Sequence, residues 1–258
     1  MNVTDDLVPL LKKLRLSGVL HSLDLRLREA TDDEIAYQEF LYRLLRDEAE
    51  RRDAKQLEQR VRRANFEHAK TLEDFEFHFN PEIPKAKIID LATCAFVERK
   101  ENVLLLGQTG VGKSHIAQAL GHRACRTGHS VLYAPAQDLL KQLRAARADN
   151  SYDRRLARFT SVGLLIVDDV GLRPLAGDEP MDLYELIRLR YERGSIVLTS
   201  NRDTDELAAL FGDPLLASAA MDRLLHHAHT IELEGETYRN PRRGRRSRRN
   251  SPTKEATK

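Results

Sequence analysis

No stretch of the 258-residue chain approaches the roughly 18 consecutive apolar residues that a membrane span needs. The N-terminus, MNVTDDLVPLLKKL, carries acids where a secretory signal would place basic residues, so a cytoplasmic protein that meets no membrane is expected. Cysteine is scarce: Cys94 and Cys125 are too few and too far apart for a disulfide framework or a zinc site, and read as reduced core or near-surface residues. No segment repeats, and neither zinc-finger spacing nor an aromatic-rich RNA-binding signature occurs. The HHAH stretch at 226–229 reads as a helix end rather than a metal site.

What is present is an ordinary globular composition, 41% hydrophobic and 32% charged, enough for one sizeable core and a smaller attached domain. The net charge of +2 hides an asymmetry. Residues 239–258 hold seven Arg and two Lys against one Glu, a local +8, and removing that from +2 leaves about −6 for the first 238 residues. A polyanionic partner would therefore meet patches and the tail, not the whole surface.

From Leu7 to about Phe66 apolar residues recur three and four apart (Leu16, Leu20, Leu23, Leu27; Phe40, Leu41, Leu44, Leu45), and no proline follows Pro9. Pro81 and Pro84 interrupt helix, and the composition shifts there. These features predict a small all-helical N-terminal domain over residues 1–80, serving DNA or partner binding, an α/β domain over 81–238, and a basic disordered tail over 239–258. Within the α/β part the expected strands are 102–107, 130–135, 162–168, 195–200 and 229–233. The first four are near-continuous apolar runs, as in a parallel sheet covered on both faces, and helical stretches between them supply the crossovers of a doubly wound fold.

The first strand, NVLLLG, runs into Gly107, Gln108, Thr109, Gly110, Val111, Gly112, Lys113 and Ser114 and then a helix, which fits G-x-x-x-x-G-K-[ST] in its required setting. Glycines at that spacing let consecutive backbone N–H groups curl around a phosphate at a helix N-terminus. Lys113 is then placed for the β and γ phosphates of ATP, and the Ser114 hydroxyl for Mg²⁺. The strand ending LLIVDD sets Asp168 as a second Mg²⁺ partner and Asp169 as the candidate base for the attacking water; the plain alternative is a solvated acidic turn. Asn201 follows the next strand, where an amide reaches a γ phosphate or the water, although an Asn there also suits a turn or a helix cap. No guanine-reading NKxD stretch occurs.

In this order GQTGVGKS, LLIVDDVG, LTSNRD and DPLLASAAMDRLLHHA resemble the AAA+ ATPases of the IstB family, helpers of insertion-sequence transposition that are similar to the bacterial helicase loader DnaC. The resemblance extends over the N-terminal stretch RDEAERRDAKQLEQRVRRANFEHAKTLEDFEF and spans about residues 10–235. It implies a P-loop AAA+ core, Lys113 and Ser114 in the first nucleotide motif, Asp168 and Asp169 in the second, and Asn201 as the first sensor. It further implies that Arg223 is an arginine finger offered to a neighbouring copy; the plain alternative is an exposed helix position or an internal salt bridge. There are two departures from the wider pattern. Asp169 stands where many AAA+ enzymes have the longer Glu, which implies slow hydrolysis. The usual C-terminal helical lid is also expected to be missing.

DNA contact is expected from two basic regions. The helix from Arg43 to Arg63, with Arg51, Arg52, Lys55, Arg60, Arg62 and Arg63, interleaves acids and reads equally as a solvated, salt-bridged face. The tail, with Arg242, Arg243, Arg245 and Arg246, has no apolar residues with which to fold and suits salt-sensitive phosphate binding, or simple solubility. The leading expectation is an ATPase that forms a ring or helical homo-oligomer on double-stranded DNA, encircles or bends it, and presents it to a partner transposase. The alternatives are a DnaC-like replicative helicase loader and an ATP-gated DNA-coating scaffold with incidental hydrolysis.

Overall fold

The computed structural model describes residues 3–235, 237 and 238. The chain divides into two compact units, one up to Arg60 and one from Val61 on. The first holds α1 (Val3–Lys13), α2 (Ser17–Asp32) and most of α3 (Tyr37–Ala64), in which the division falls. Its small core is Leu11, Val19, Leu23 and Leu44, with Leu7, Leu16, Leu20 and Phe40 packed around it, as the three-and-four spacing predicts. Helix α2 lacks a capping side chain of its own; the buried Glu48 of α3 accepts the N–H groups of Gly18 and Val19 instead. Asp47 is held down to about 2 by its hydrogen bonds to the Arg26 guanidinium, 2.8 Å away.

The second unit is a five-stranded, all-parallel sheet between helices, a P-loop AAA+ fold. After α4 (Lys85–Leu91) and α5 (Ala95–Glu98) the chain enters β1 (Asn102–Gly107) and α6 (Lys113–Arg126), then β2 (Val131–Pro135), α7 (Ala136–Ala148) and α8 (Tyr152–Thr160). It continues through β3 (Leu164–Val170), α9 (Glu179–Arg190), β4 (Ser195–Ser200), α10 (Thr204–Ala209), α11 (Pro214–Leu225) and β5 (Ala228–Leu233). The strand order is β2-β3-β4-β1-β5, so β4 lies between β1 and β3. Leu104, Leu106, Leu165, Val167, Ile196 and Leu198 pack against α7, α8, α9 and α11 on one face. The alternate residues Val103, Leu105, Ile166 and Val197 are equally buried, which accounts for the unbroken apolar runs. Each such Leu or Ile contributes about 2 kcal/mol through burial. Asp203 and Asp213 cap α10 and α11, accepting the N–H groups of Glu206 and Leu216 at 2.8 Å.

Two expectations are corrected. The domain boundary expected at residue 80 falls near residue 60, because 66–75 is bound to α6 along one helical stripe. Phe66 stacks on His122 with centroids 4.1 Å apart, the His68 N–H donates to Gln118 Oε1 at 3.1 Å, and His115 Nε2 meets the Thr71 carbonyl at 2.8 Å. The prolines at 81 and 84 end a connector within this unit, not a domain. The third strand runs Leu164–Val170 rather than 162–168, since a bulge between Val167 and Val170 lets pairing resume at Val170 with Ser200. No helix among the described residues is long and apolar enough to cross a membrane.

Candidate functional site

The loop 107–112 leaves the C-terminal edge of β1 and delivers its last residue, Gly112, to the start of α6 with φ +102°. That left-handed turn points the first N–H groups of α6 into the loop, and a Cβ at Gly112 would lie 2.7 Å from Phe75 Cε2. Gly110, at φ +90°, has Thr237 against it, and the Tyr238 N–H donates to its carbonyl at 2.9 Å. Tyr238 in turn packs on Phe79 with centroids 4.0 Å apart. The phosphate loop is therefore buttressed by the connector on one side and by the residues after β5 on the other. Beyond β5 the described residues contain no helix.

Lys113 is buried, and its ammonium donates to the carbonyls of Gly107 and Gln108 at 2.7 and 2.8 Å, which holds it at the loop mouth. The Ser114 hydroxyl donates to Asp168 Oδ1 at 3.0 Å. Asp168 is itself buried, and its carboxylate is further gripped by the hydroxyls of Thr199 on β4, at Oδ1, and Tyr133 on β2, at Oδ2 and 2.7 Å. Burial first, then the carboxylate, push the Tyr133 phenol well above its ordinary range, so it remains a donor. Thr199 Oγ1 also accepts the Asp169 N–H at 2.8 Å, and Asp169 sits at φ +58° in the β3 bulge, a backbone position that costs a non-glycine residue about 1 kcal/mol or more.

The predicted residues are thus only partly gathered. Ser114 and Asp168 meet directly, and Asn201 is exposed beside Gly107 and Gln108 in a cleft of about 710 Å³. Glu82, Asp203, Glu206, Glu232 and Glu234, against Arg202, also line that cleft. A cavity of similar size, about 720 Å³, lies beneath residues 71–78 and holds none of the predicted site residues. Asp169 lines a separate small cavity with Gln137 and Arg173, whose guanidinium is already paired with Glu179 at 2.7 Å. Arg223 stands at the other edge of the sheet. Its Nη1 donates to the Ala219 carbonyl at 2.7 Å, and it shares a cavity with Asn102, whose amide donates to the Leu224 carbonyl at 2.9 Å. Asn102 begins the strand that ends in the phosphate loop at Gly107, about 17 Å away at 3.3 Å per residue. Arg223 is therefore remote from the phosphate loop of its own chain.

Of the basic α3 residues, Arg51, Lys55, Arg62 and Arg63 are exposed, whereas Arg60 is half-buried. Arg52 is exposed yet tied to Glu48 at 2.6 Å and to the Arg15 carbonyl. Arg242, Arg243, Arg245 and Arg246 lie outside the described residues. Sequence reasoning missed Thr199 and Tyr133. The signal was there in principle, as single hydroxyls inside the buried strands SIVLTS and VLYAP, where an unpaired polar group is costly and so implies a partner.

Comparison with known proteins gives the family and the fold. Residues 9–247 match the family model described as IstB-like ATP binding protein. A Pseudomonas aeruginosa protein of insertion sequence IS21, provisionally named an ATP-binding protein, is 40% identical over 234 residues, covering 91% of this chain and 88% of that one. A Mycobacterium tuberculosis protein of an insertion sequence, with the same provisional naming, is 40% identical over 230 residues, covering 89% and 92%. Among solved structures, DnaI superposes with a TM-score of 0.56 at 23% identity over 64% of this chain and 92% of that one. AMPPCP-bound DnaA from Aquifex aeolicus superposes with a TM-score of 0.55 at 21% identity over 66% and 51%. At these identities the structural likeness is one of fold.

Proposed function

The chain belongs to the IstB-like ATP-binding family, and from that premise we propose that it binds and hydrolyses ATP, assembles head-to-tail with further copies on duplex DNA, and helps a partner transposase. The observation that carries the reading is the separation between the Lys113–Ser114–Asp168 cluster and Arg223 at opposite edges of one sheet. A site built this way is completed only when a second copy brings its Arg223 edge to the first copy's phosphate loop. Turnover then depends on assembly.

Loop N–H groups and the N-terminus of α6 hold the phosphates, and Lys113 exchanges loop carbonyls for phosphate oxygens. The Ser114 and Asp168 oxygens fit Mg²⁺: both are hard donors, 3.0 Å apart. Bound there, Mg²⁺ supplies neutralisation of charge on the phosphate oxygens. A cleft wall with five carboxylates and one Arg would otherwise repel a bare triphosphate. In this reading Asp169, which follows Asp168 at the end of β3, orients the water, Asn201 holds the γ phosphate or that water, and the second copy's Arg223 stabilises charge as the phosphoryl group departs.

DNA contact is assigned to the exposed Arg51, Lys55, Arg62 and Arg63 and to the basic tail, as phosphate contacts without base reading. The relatives' association with insertion sequences supports a transposase as the partner. In the test, Lys113→Ala loses ATP binding by at least about a hundredfold and with it ATP-dependent assembly on duplex DNA. Assembly at wild-type nucleotide concentrations by that variant contradicts the proposal.

A further inference from the structure

Tyr133 is among the largest fully buried side chains, at 1% exposure, and a phenylalanine would fill the same space. Its hydroxyl needs a partner there, since an unpaired buried hydroxyl costs folding free energy. Its main partner is Asp168 Oδ2 at 2.7 Å, with the Glu67 carboxylate a lesser neighbour. The other carboxylate oxygen receives the hydroxyls of Thr199 and Ser114. A carboxylate offers about four acceptor directions, so three are spent on hydroxyls that arrive from β2, β4 and the head of α6. The plane of Asp168 is thus fixed at both oxygens, Oδ2 by Tyr133 and Oδ1 by Thr199 and Ser114.

Resting on the Mg²⁺–ATP reading above, we infer that Tyr133 is a positioning residue that sets the affinity of the nucleotide site for Mg²⁺ by holding Asp168 as an acceptor for the Ser114 hydroxyl and for a water on the ion. Ser114 Oγ can offer a lone pair to the ion while its O–H still donates to Asp168 Oδ1, but only if the carboxylate does not rotate. Without the phenol, Oδ2 is released and only the hydroxyls at Oδ1 restrain the carboxylate, so the Ser114 hydroxyl meets a less rigidly held acceptor. Outer partners of this kind typically change metal affinity by 10- to 100-fold. Thr199 is the matching clamp on the other oxygen, and it also fixes the Asp169 backbone, so its loss disturbs more than the metal. Tyr133 touches Asp168 from a strand that carries none of the predicted site residues, which makes it the cleaner probe.

The test is a Mg²⁺ titration of fluorescent ATP-analogue binding by the full-length Tyr133→Phe protein, with the same binding measured in chelator. The expected result is a half-saturating Mg²⁺ concentration raised about tenfold, with metal-free affinity within twofold of the parent. A Mn²⁺ titration followed by electron paramagnetic resonance should show the same weakening without reference to turnover. Thr199→Val, which keeps the shape of the side chain, should shift Mg²⁺ demand in the same direction. An unchanged Mg²⁺ demand in Tyr133→Phe overturns the inference, as does a parallel fall in metal-free affinity, which marks a merely structural role. If the parent protein itself shows no Mg²⁺-dependent nucleotide binding, the ATP-site reading has failed instead.

Discussion

The two edges of the sheet are built on opposite plans. At the C-terminal edge the backbone is held open: Gly107, Gly110, Gly112 and Asp169 all have positive φ, and the cleft beside Gly107 is acidic. At the N-terminal edge the protein closes on itself. Arg190, 1% exposed, donates to the carbonyls of Phe159, Thr160, Val162, Gly163 and Ser195, and Asn102 links β4 to the end of α11. The cavity there is small, about 210 Å³, and basic, lined by Arg99, Lys100, Arg190, Arg223, His226 and His227 against Glu192. One edge is shaped to receive a ligand and the other to stay rigid while presenting positive charge. Opposite signs at opposite edges suit the proposed head-to-tail assembly, since complementary charge orients encounter.

The contrast can be broken most severely at Arg190. Replacing it with Leu strips buried carbonyls of their donor and should cost roughly 3–5 kcal/mol, read as a lower midpoint in chemical denaturation. Lys113→Ala, at the open edge, should leave that midpoint within about 1 kcal/mol while nucleotide binding is lost. Equal destabilisation by the two would erase the distinction between a rigid edge and a receptive one.

Arg223→Ala sharpens the comparison at about a thousandfold in turnover, with nucleotide affinity of the single chain unchanged because Arg223 is remote from its own phosphate loop. A large drop in affinity by the isolated chain would place Arg223 in its own site instead. Asp169→Asn should keep assembly on DNA and lower turnover by about a hundredfold, measured as phosphate release; parent rates would remove Asp169 from the chemistry. The smallest effect, about tenfold in turnover, is expected of Asn201→Ala, because one hydrogen bond at an exposed position is lost.

How far the sequence foretold these two edges depends on whether a feature is local. The phosphate loop is local: strand, glycines, lysine and helix are contiguous, and β1 and β4 match their expected bounds residue for residue. Asp168 was legible because an acid at the end of an apolar run has few other uses. The clamps on it were not, since Tyr133 and Thr199 lie on other strands and meet Asp168 only through parallel pairing of β2, β3 and β4. Arg190 was invisible for a similar reason: in MDLYELIRLRYER it reads like Arg188, yet Arg188 makes a surface pair with Glu185 while Arg190 is buried. The connector misled because prolines and lost helical periodicity look like a boundary, whereas His115, Gln118 and His122 form a polar stripe on α6 that binds it. The β3 bulge left no mark in the sequence, because the hydroxyl that accepts the Asp169 N–H there belongs to Thr199 on another strand.

The central claim is that each ATP site is shared between the open edge of one copy and the basic edge of the next. Mixing Lys113→Ala with Arg223→Ala in the presence of ATP, Mg²⁺ and duplex DNA tests it most directly. Each variant alone should be inactive. In the mixture, copies with an intact Lys113 stand next to copies with an intact Arg223, and ATP hydrolysis should return to a substantial fraction of the parent rate. A mixture as inactive as its components would contradict the claim.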